Sequence, residues 1–258
     1  MNRSSGKVWL IGAGPGDVEL LTLKAVRVLG EADVVLIDDL VNRDVLQFAK
    51  RDARVIEVGK RGGCRSTPQD FIERKMLQLA QQGLTVARVK GGDPYVFGRG
   101  GEEVETLLGA GIEVGVVNGI TAGIGVPAAL GIPVTHRDAC RGVTLVTGHA
   151  ANDARAPNWK ALAEGGTTLV IYMGLKHLPG IVHALREAGM AAAMPVAVVQ
   201  NGTLPSQKQV VSTLAQVVET SAQAGLQSPA LVVVGEVVRY ARVSSEMASA
   251  MESARKSA

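Results

Sequence analysis

Apolar runs alternate with stretches of helical spacing along the first half of the chain, and each apolar run ends in a glycine-rich or charged segment. Buried strands are predicted at residues 7–12, 32–37, 55–58, 84–89 and 113–117. Helices are predicted at residues 20–30, 70–82 and 102–108. This repeated β-turn-α order favours a mainly parallel sheet.

The pattern changes near residue 120, where a small, apolar segment is followed by an extended piece with a polar end. Beyond it, strands are predicted at 143–147, 167–173, 195–200 and 230–234, and helices at 159–164, 179–188 and 213–224. Some successive strands can pair antiparallel, which predicts a mixed sheet. We therefore expect an α/β protein with two lobes, 1–118 and 119–242, a site in the cleft between them, and a flexible tail at 243–258.

The composition narrows the class of protein. Of the 258 residues, 47% are apolar, 20% are charged and only 3% are aromatic. The scarcity of aromatic side chains argues against a single-strand nucleic-acid binder. The net charge of +3 excludes a polybasic arm for nucleic acid or membrane, although a local basic cleft for an acidic small molecule fits.

The cysteines and the N-terminal sequence indicate the cellular compartment of the protein. Cys64 and Cys140 are far apart and match no metal-binding spacing, so reduced thiols are expected. The first seven residues, MNRSSGK, lack the apolar core of a signal peptide. No apolar run approaches the roughly 18 residues of a membrane span. We expect a soluble, cytoplasmic protein.

The densest group of chemically active residues is the segment 88–103, which reads RVKGGDPYVFGRGGEE. It follows a predicted strand, and Gly91 and Gly92 allow positive φ and close approach of a ligand to the backbone. Asp93 precedes a proline and predicts a turn. Because open α/β sheets bind ligands at the carboxyl ends of their strands, we expect a site here.

The segment 12–17, GAGPGD, lies between a strand and a helix, as a dinucleotide-binding fingerprint does. Asp38 stands about twenty residues later, where a ribose-binding acid would be. The pattern departs where Asp17 replaces the third glycine, and Pro15 removes an amide that a phosphate would use. A nicotinamide-dependent oxidoreductase is kept as an alternative, and a loop that brings backbone close to another ligand is favoured.

Seven motifs in order carry a resemblance that spans about residues 7–240. They are GAGPGD (12–17), the segment 88–103, GITA (119–122), GIPVTHR (131–137), TGH (147–149), YMG (172–174) and ALVVVGE (230–236). Together they resemble the tetrapyrrole methylase family. The chain has Asn118 where the commoner family form has proline.

The resemblance implies a two-lobed homodimer that binds S-adenosylmethionine. The implied reaction is methylation of two pyrrole carbons, C2 and C7, of uroporphyrinogen III to give precorrin-2 through precorrin-1. By similarity, the residues that line the cofactor are Pro15, Gly91, Gly92, Asp93, Val96, Thr121, Ala122, Met173 and Gly202. From spacing alone, Val96 and Met173 are more often ordinary core residues.

Two charged residues match the family's proposed proton-transfer groups. Asp38 corresponds to the proton acceptor, and Lys60 corresponds to the proton donor. A carboxylate base suits the reaction, because the methylated pyrrole must lose a proton. Without the resemblance, both residues read as strand-end charges with a structural role.

A substrate rich in carboxylates requires arginine side chains, which bind carboxylate through two hydrogen bonds. Arg61, Arg99 and Arg137 lie in glycine-rich or extended segments and are the candidates for this role. Glu102 and His149 flank the same motifs and are candidates for contacting pyrrole N–H groups or propionates. Arg99 and Glu102 are also counted among the catalytic candidates.

Other members of the same fold give the remaining alternatives: a later cobalamin-pathway methylase, or methylases of rRNA or of the diphthamide precursor. A non-catalytic tetrapyrrole carrier is an alternative of another class. The first strand begins at Lys7, so we expect no dehydrogenase–chelatase domain fused ahead of it. The product would then pass to a separate enzyme on the route to sirohaem, cobalamin or haem d1.

Overall fold

The computed structural model describes residues 6–59, 68–148 and 156–242. The chain forms two compact units, with the boundary between Ala122 and Gly123. The candidates Lys60, Arg61 and His149, and the predicted tail 243–258, lie outside the described residues. Within the described ranges, no helix has the length and apolar character needed to cross a membrane.

The first unit contains a parallel sheet with the strand order β3-β2-β4-β1-β5 among the described residues. Its strands are β1 (Lys7–Gly12), β2 (Val34–Ile37), β3 (Arg54–Glu57), β4 (Val86–Lys90) and β5 (Glu113–Val117). Its helices are α1 (Leu23–Glu31), α2 (Gln69–Gln81) and α3 (Gly100–Gly109). The predicted parallel sheet is confirmed. All five carboxyl ends therefore lie at one edge of the sheet.

Helices cover both faces of this sheet, which explains the continuous apolar runs of its strands. On one face, Val28 and Leu29 of α1 pack in a fully buried cluster with side chains of the strands. On the other face, Met76 of α2 and Leu107 of α3 pack in a second cluster. Each face of the sheet is thus covered by apolar side chains of the helices.

The first helix starts later than the sequence predicts. A short 3-10 turn, Val18–Leu20, precedes it, and α1 begins at Leu23. The reason is the cap: Thr22 has extended backbone, and its hydroxyl accepts a hydrogen bond from the N–H of Ala25. The predicted start at residue 20 is therefore wrong by three positions.

The second unit contains a mixed sheet with the order β6-β7-β10-β8-β9 among the described residues. Its strands are β6 (Val143–Thr147), β7 (Thr168–Tyr172), β8 (Pro195–Gln200), β9 (Lys208–Thr213) and β10 (Ala230–Val234). Its helices are α4 (Ala122–Ala129), α5 (Trp159–Glu164), α6 (Leu178–Glu187) and α7 (Val217–Gln223). Strands β6 and β7 are parallel and the other pairs are antiparallel, so the predicted mixed sheet is confirmed.

Two elements of this unit differ from the sequence prediction. Strand β9 was not predicted, and it takes Thr213 from the predicted helix, which begins only at Val217. Helix α4 was not predicted either, because glycine and proline are poor helix formers. Its Gly123, Gly125, Val126 and Pro127 are buried, so tertiary packing outweighs local preference.

Candidate functional site

Three loop backbones at the carboxyl edge of the first sheet are in direct contact. A Cβ atom on Gly12 would lie 2.6 Å from the carbonyl oxygen of Gly92, and one on Gly119 would lie 2.2 Å from the same oxygen. Gly14 and Gly92 also exchange backbone hydrogen bonds of 3.2 and 2.7 Å, and Gly92 has a φ of +68°. The sequence predicts that such glycines let a ligand approach the backbone. That interpretation is incomplete, because Gly12 and Gly119 allow the backbone of Gly92 to approach closely.

Asp93 joins the loop after β4 to the loop after β5. One carboxylate oxygen accepts a hydrogen bond of 2.8 Å from the N–H of Tyr95. The other accepts bonds from the N–H of Gly119 at 3.1 Å and from the side-chain amide of Asn118 at 3.4 Å. With both oxygens occupied in this way, Asp93 braces the two loops, and a direct contact to cofactor stays a prediction.

The remaining cofactor candidates of this unit lie at the same edge. Pro15 follows β1, Gly91 and Val96 follow β4, and Thr121 and Ala122 follow β5. Pro15, Gly91, Val96 and Thr121 are only partly buried, so part of each is accessible from outside. The structure thus brings the first-unit candidates to one place.

A buried cluster of charges lies beside these loops. Arg88 is 2% exposed and Glu103 is fully buried, and the arginine Nε donates to Glu103 Oε1 at 3.3 Å. The same oxygen accepts from Lys90 Nζ at 2.9 Å and from Gln69 Nε2 at 3.0 Å. Within the described residues, the buried Oε2 of Glu103 has no hydrogen-bond partner.

Asp38 forms the exposed end of this cluster. Both of its carboxylate oxygens accept hydrogen bonds from Arg88 Nη2, at 3.0 and 2.8 Å, while 27% of its side chain stays exposed. Burial and the neighbouring Arg88 lower the pKa of Lys90, and Glu103 acts in the opposite direction. Two cations of β4 therefore balance two anions, Glu103 of α3 and Asp38 after β2.

The sequence analysis missed the roles of Arg88, Lys90 and Glu103. A usable signal was present, since Arg88 and Lys90 alternate with apolar residues in a strand and so share one face. A parallel sheet that is covered by helices buries both faces of its strands. Charged side chains on such a strand therefore require buried partners.

Arg99 and Glu102, both predicted site residues, lie together at the start of α3. Arg99 has a φ of +58°, and its Nε donates to the two carboxylate oxygens of Glu102 at 3.0 and 3.1 Å. This mutual hydrogen bond raises the pKa of Arg99 and lowers the pKa of Glu102. Each side chain is about half exposed, so the pair is open to solvent.

Met173 follows β7 in the second unit. The residue is 51% exposed, so the interpretation of Met173 as a core residue is wrong. Its φ of +54° is rare for a non-glycine residue, and such conformations concentrate at functional sites. Gly202, after β8, packs against α4, because a Cβ there would lie 2.5 Å from the Val126 side chain.

Arg137 is exposed on a small hairpin of the second unit. His136 and Cys140 close this hairpin through two backbone hydrogen bonds of 2.8 Å. The His136 ring stacks on Tyr240 with centroids 4.5 Å apart, and its Nδ1 accepts a bond of 3.2 Å from the N–H of Asp138. The hairpin that carries Arg137 is therefore anchored at its base.

Comparison with protein families identifies the group of proteins to which this arrangement belongs. The model for tetrapyrrole (corrin/porphyrin) methylases matches residues 7–218. The chain belongs to the tetrapyrrole methylase family. This membership decides against the dinucleotide-binding alternative for residues 12–17, and the methylase resemblance is confirmed.

Individual relatives cover most of the chain. It is 55% identical over 235 residues to the uroporphyrinogen-III C-methyltransferase of Pseudomonas aeruginosa, covering 91% of this chain and 95% of that protein. It is 47% identical over 234 residues to the siroheme synthase of Thiobacillus denitrificans, covering 91% of this chain but 49% of that protein. The match to siroheme synthase is therefore to about half of a longer enzyme.

A solved methylase structure shares the fold. The uroporphyrin-III C-methyltransferase of Thermus thermophilus, complexed with S-adenosylhomocysteine, has a TM-score of 0.77 and 40% sequence identity. The match covers 91% of this chain and 99% of that one. The predicted two-sheet α/β methylase fold is confirmed.

The contact among the three loops gives a first prediction. Gly119→Ala should destabilise the protein by about 1–3 kcal/mol, because the added methyl group meets the Gly92 carbonyl and the loop must shift. The free energy of unfolding, from denaturant titration, measures the effect. Gly109→Ala is the matched control, since a Cβ there meets nothing within 4 Å. Equal stability of the two variants would contradict the close packing.

Proposed function

We propose that this chain is an S-adenosylmethionine-dependent C-methyltransferase that converts uroporphyrinogen III to precorrin-2 by methylating C2 and then C7, or the reverse. The observation that carries the proposal is the match across nearly the whole length of a uroporphyrinogen-III C-methyltransferase. The similarity to siroheme synthase supports a place on the sirohaem route. The same product also feeds cobalamin and haem d1 synthesis.

The residues present fit the cofactor. When bound, S-adenosylmethionine supplies an electrophilic methyl group on a sulfonium sulfur. The residues proposed to hold it are Pro15, Gly91, Gly92, Asp93, Val96, Thr121, Ala122, Met173 and Gly202. The half-exposed Met173, with its left-handed backbone, offers a polarizable apolar surface suited to an adenine ring. The partly exposed loops after β1, β4 and β5 offer backbone polar groups.

Asp38 is proposed to accept the proton that leaves the methylated pyrrole. Its position at the end of β2 and its partly exposed carboxylate support this role, because a base must reach the substrate. Lys60 is the proposed proton donor. The pairing of Asp38 with Arg88 holds the carboxylate in one orientation.

Arginine side chains are proposed to bind the substrate's carboxylates. Arg99 and Arg137 are exposed on loops, which supports this role, and Arg61 and His149 are proposed with them. Glu102 is proposed to contact pyrrole N–H groups. Arg99 binds Glu102 in this structure, so substrate carboxylates would compete with Glu102 for the same guanidinium.

We also propose a cytoplasmic homodimer. Leu23 and Leu40 are 90% and 67% exposed, and a second copy that covered them would remove this apolar surface from water. Cys140 is a buried free thiol whose sulfur donates to the Gly142 carbonyl and accepts from the Thr168 N–H. A reduced thiol suits the cytoplasm.

The reaction is tested by anaerobic incubation with uroporphyrinogen III and methyl-labelled S-adenosylmethionine, followed by mass spectrometry. We expect a gain of two methyl groups. An incubation without S-adenosylmethionine is the control. If no methyl group is gained while S-adenosylhomocysteine still binds, the substrate belongs to another member of the family; if neither is seen, the proposal fails.

Arg99→Ala should raise the KM for uroporphyrinogen III by tenfold or more, because it removes two charge-assisted hydrogen bonds to a carboxylate. Affinity for S-adenosylhomocysteine, measured by calorimetry, should stay unchanged. Arg74→Ala is the control, since Arg74 forms a comparable exposed pair with Asp70. An unaltered KM in Arg99→Ala would remove Arg99 from the substrate site.

Asp38→Asn should lower kcat by roughly 10²-fold or more, because it removes the proton acceptor and keeps the shape of the side chain. The measurement is steady-state methyl transfer at saturating substrate. Asp52→Asn, at an exposed carboxylate, is the control and should match the unaltered protein. Normal kcat in Asp38→Asn would leave Asp38 a structural residue.

A further inference from the structure

Asp38 receives its orientation from one guanidinium. Arg88 Nη2 lies 3.0 and 2.8 Å from the two carboxylate oxygens. Arg88 stands in β4 opposite Leu36 of β2, so its side chain reaches along the sheet to the residue just after that strand. The rotation of the Asp38 carboxylate is thereby set by a group that is itself 2% exposed.

Arg88 is in turn fixed by hydrogen bonds to groups other than Asp38. Its Nε donates to Glu103 Oε1 at 3.3 Å, and its Nη1 donates to the Val89 carbonyl at 3.4 Å. Glu103 is fixed by Lys90 and Gln69, which donate to the same oxygen. The contacts therefore run in series from helices α2 and α3, through Arg88, to the partly exposed Asp38.

Such an arrangement is costly for stability. Replacing a buried charge network by apolar side chains of similar volume is often neutral or stabilising. Glu103 carries an additional cost, because its Oε2 is buried without a hydrogen-bond partner in the part of the chain described. Stability of the fold therefore does not explain why Arg88 and Glu103 occupy these positions. A role in orienting the Asp38 carboxylate does explain it.

We propose that Arg88 and Glu103 are positioning residues for the methylation reaction: Arg88 orients and charge-balances the proton-accepting carboxylate of Asp38, and Glu103 holds Arg88 and offsets part of its charge. This inference rests on the proposed function. Neither residue touches the substrate in this scheme.

The charge balance predicts opposite effects for the two residues. Among the residues that the structure describes, Arg88 pairs with Asp38 directly, Lys90 interacts with it electrostatically, and Glu103 of α3 pairs with both of these cations. Asp39 is next to Asp38 in the chain. Glu103→Gln leaves an excess positive charge beside Asp38, which favours the ionised carboxylate. Arg88→Gln leaves an excess negative charge, which favours the protonated form.

The test is the pH profile of kcat for methyl transfer to uroporphyrinogen III. Its acidic limb is the part in which kcat falls as the pH is lowered. In Glu103→Gln the acidic limb should move to lower pH, and in Arg88→Gln it should move to higher pH, each by about one pH unit. Both variants should lose about tenfold or more in kcat at the plateau, and bind S-adenosylhomocysteine as the unaltered protein does. Asp38→Asn should abolish the acidic limb.

Matched variants separate this effect from a general change of charge. Glu31→Gln and Arg74→Gln remove the same charges from exposed pairs and should leave the limb in place. If Arg88→Gln does not fold, Arg88→Lys replaces it. Lysine keeps the charge but cannot span Asp38 and Glu103 together, so the limb should stay and kcat should fall.

The outcomes distinguish the two proposals. Acidic limbs that stay in place in Glu103→Gln and Arg88→Gln, or that move in the same direction, would overturn the positioning role. An acidic limb retained in Asp38→Asn, or full kcat in Arg88→Lys, would overturn it as well. Failure of the unaltered protein to transfer methyl groups would instead contradict the proposed function itself.

Discussion

The close approach of three loop backbones at the carboxyl edge of the first sheet is the constraint on which the candidate site depends. The carbonyl of Gly92 lies where side chains on Gly12 and Gly119 would be, so β1, β4 and β5 end in loops that touch without intervening side chains. Asp93 then joins two of these loops through hydrogen bonds to backbone and side-chain amides. A parallel sheet brings strand ends to one edge, but only residues without a Cβ allow the loops to merge into one surface.

The buried charges beside these loops lower the stability of the fold and fix the orientation of the Asp38 carboxylate. Four ionisable groups with balanced charge, from β4, α3 and the residue after β2, contact one another. The most buried of them, Glu103, retains an unsatisfied oxygen among the described residues. Hydrogen bonds link each of these side chains to the next, so that each restricts the orientation of its neighbour. The one member that reaches solvent, Asp38, is the residue for which the proton-transfer role is proposed.

Several site features could be anticipated from the chain and others could not. The segment 88–103 was recognised as chemically important, and the structure adds that its first and last residues, Arg88 and Glu103, are hydrogen-bonded to each other. That contact joins a strand to a helix fifteen positions later, and local patterning carries no information about it. The exposure of Met173 was likewise hidden, because an apolar residue after a buried strand has the same pattern whether it faces a core or a ligand.

The sequence by itself determined the class of fold, most of the strand positions and the family. Continuous apolar runs followed by glycine are the local signature of strands buried in a parallel sheet, and motif order is a property of the chain alone. Tertiary structure alone decided that α4 is a helix despite its glycines and proline, and that Arg88 turns Asp38 toward one orientation. These two outcomes depend on contacts between residues distant in the chain, which local periodicity does not record. The late start of α1 is different, because the cap at Thr22 is a local contact that hydrophobic periodicity does not show.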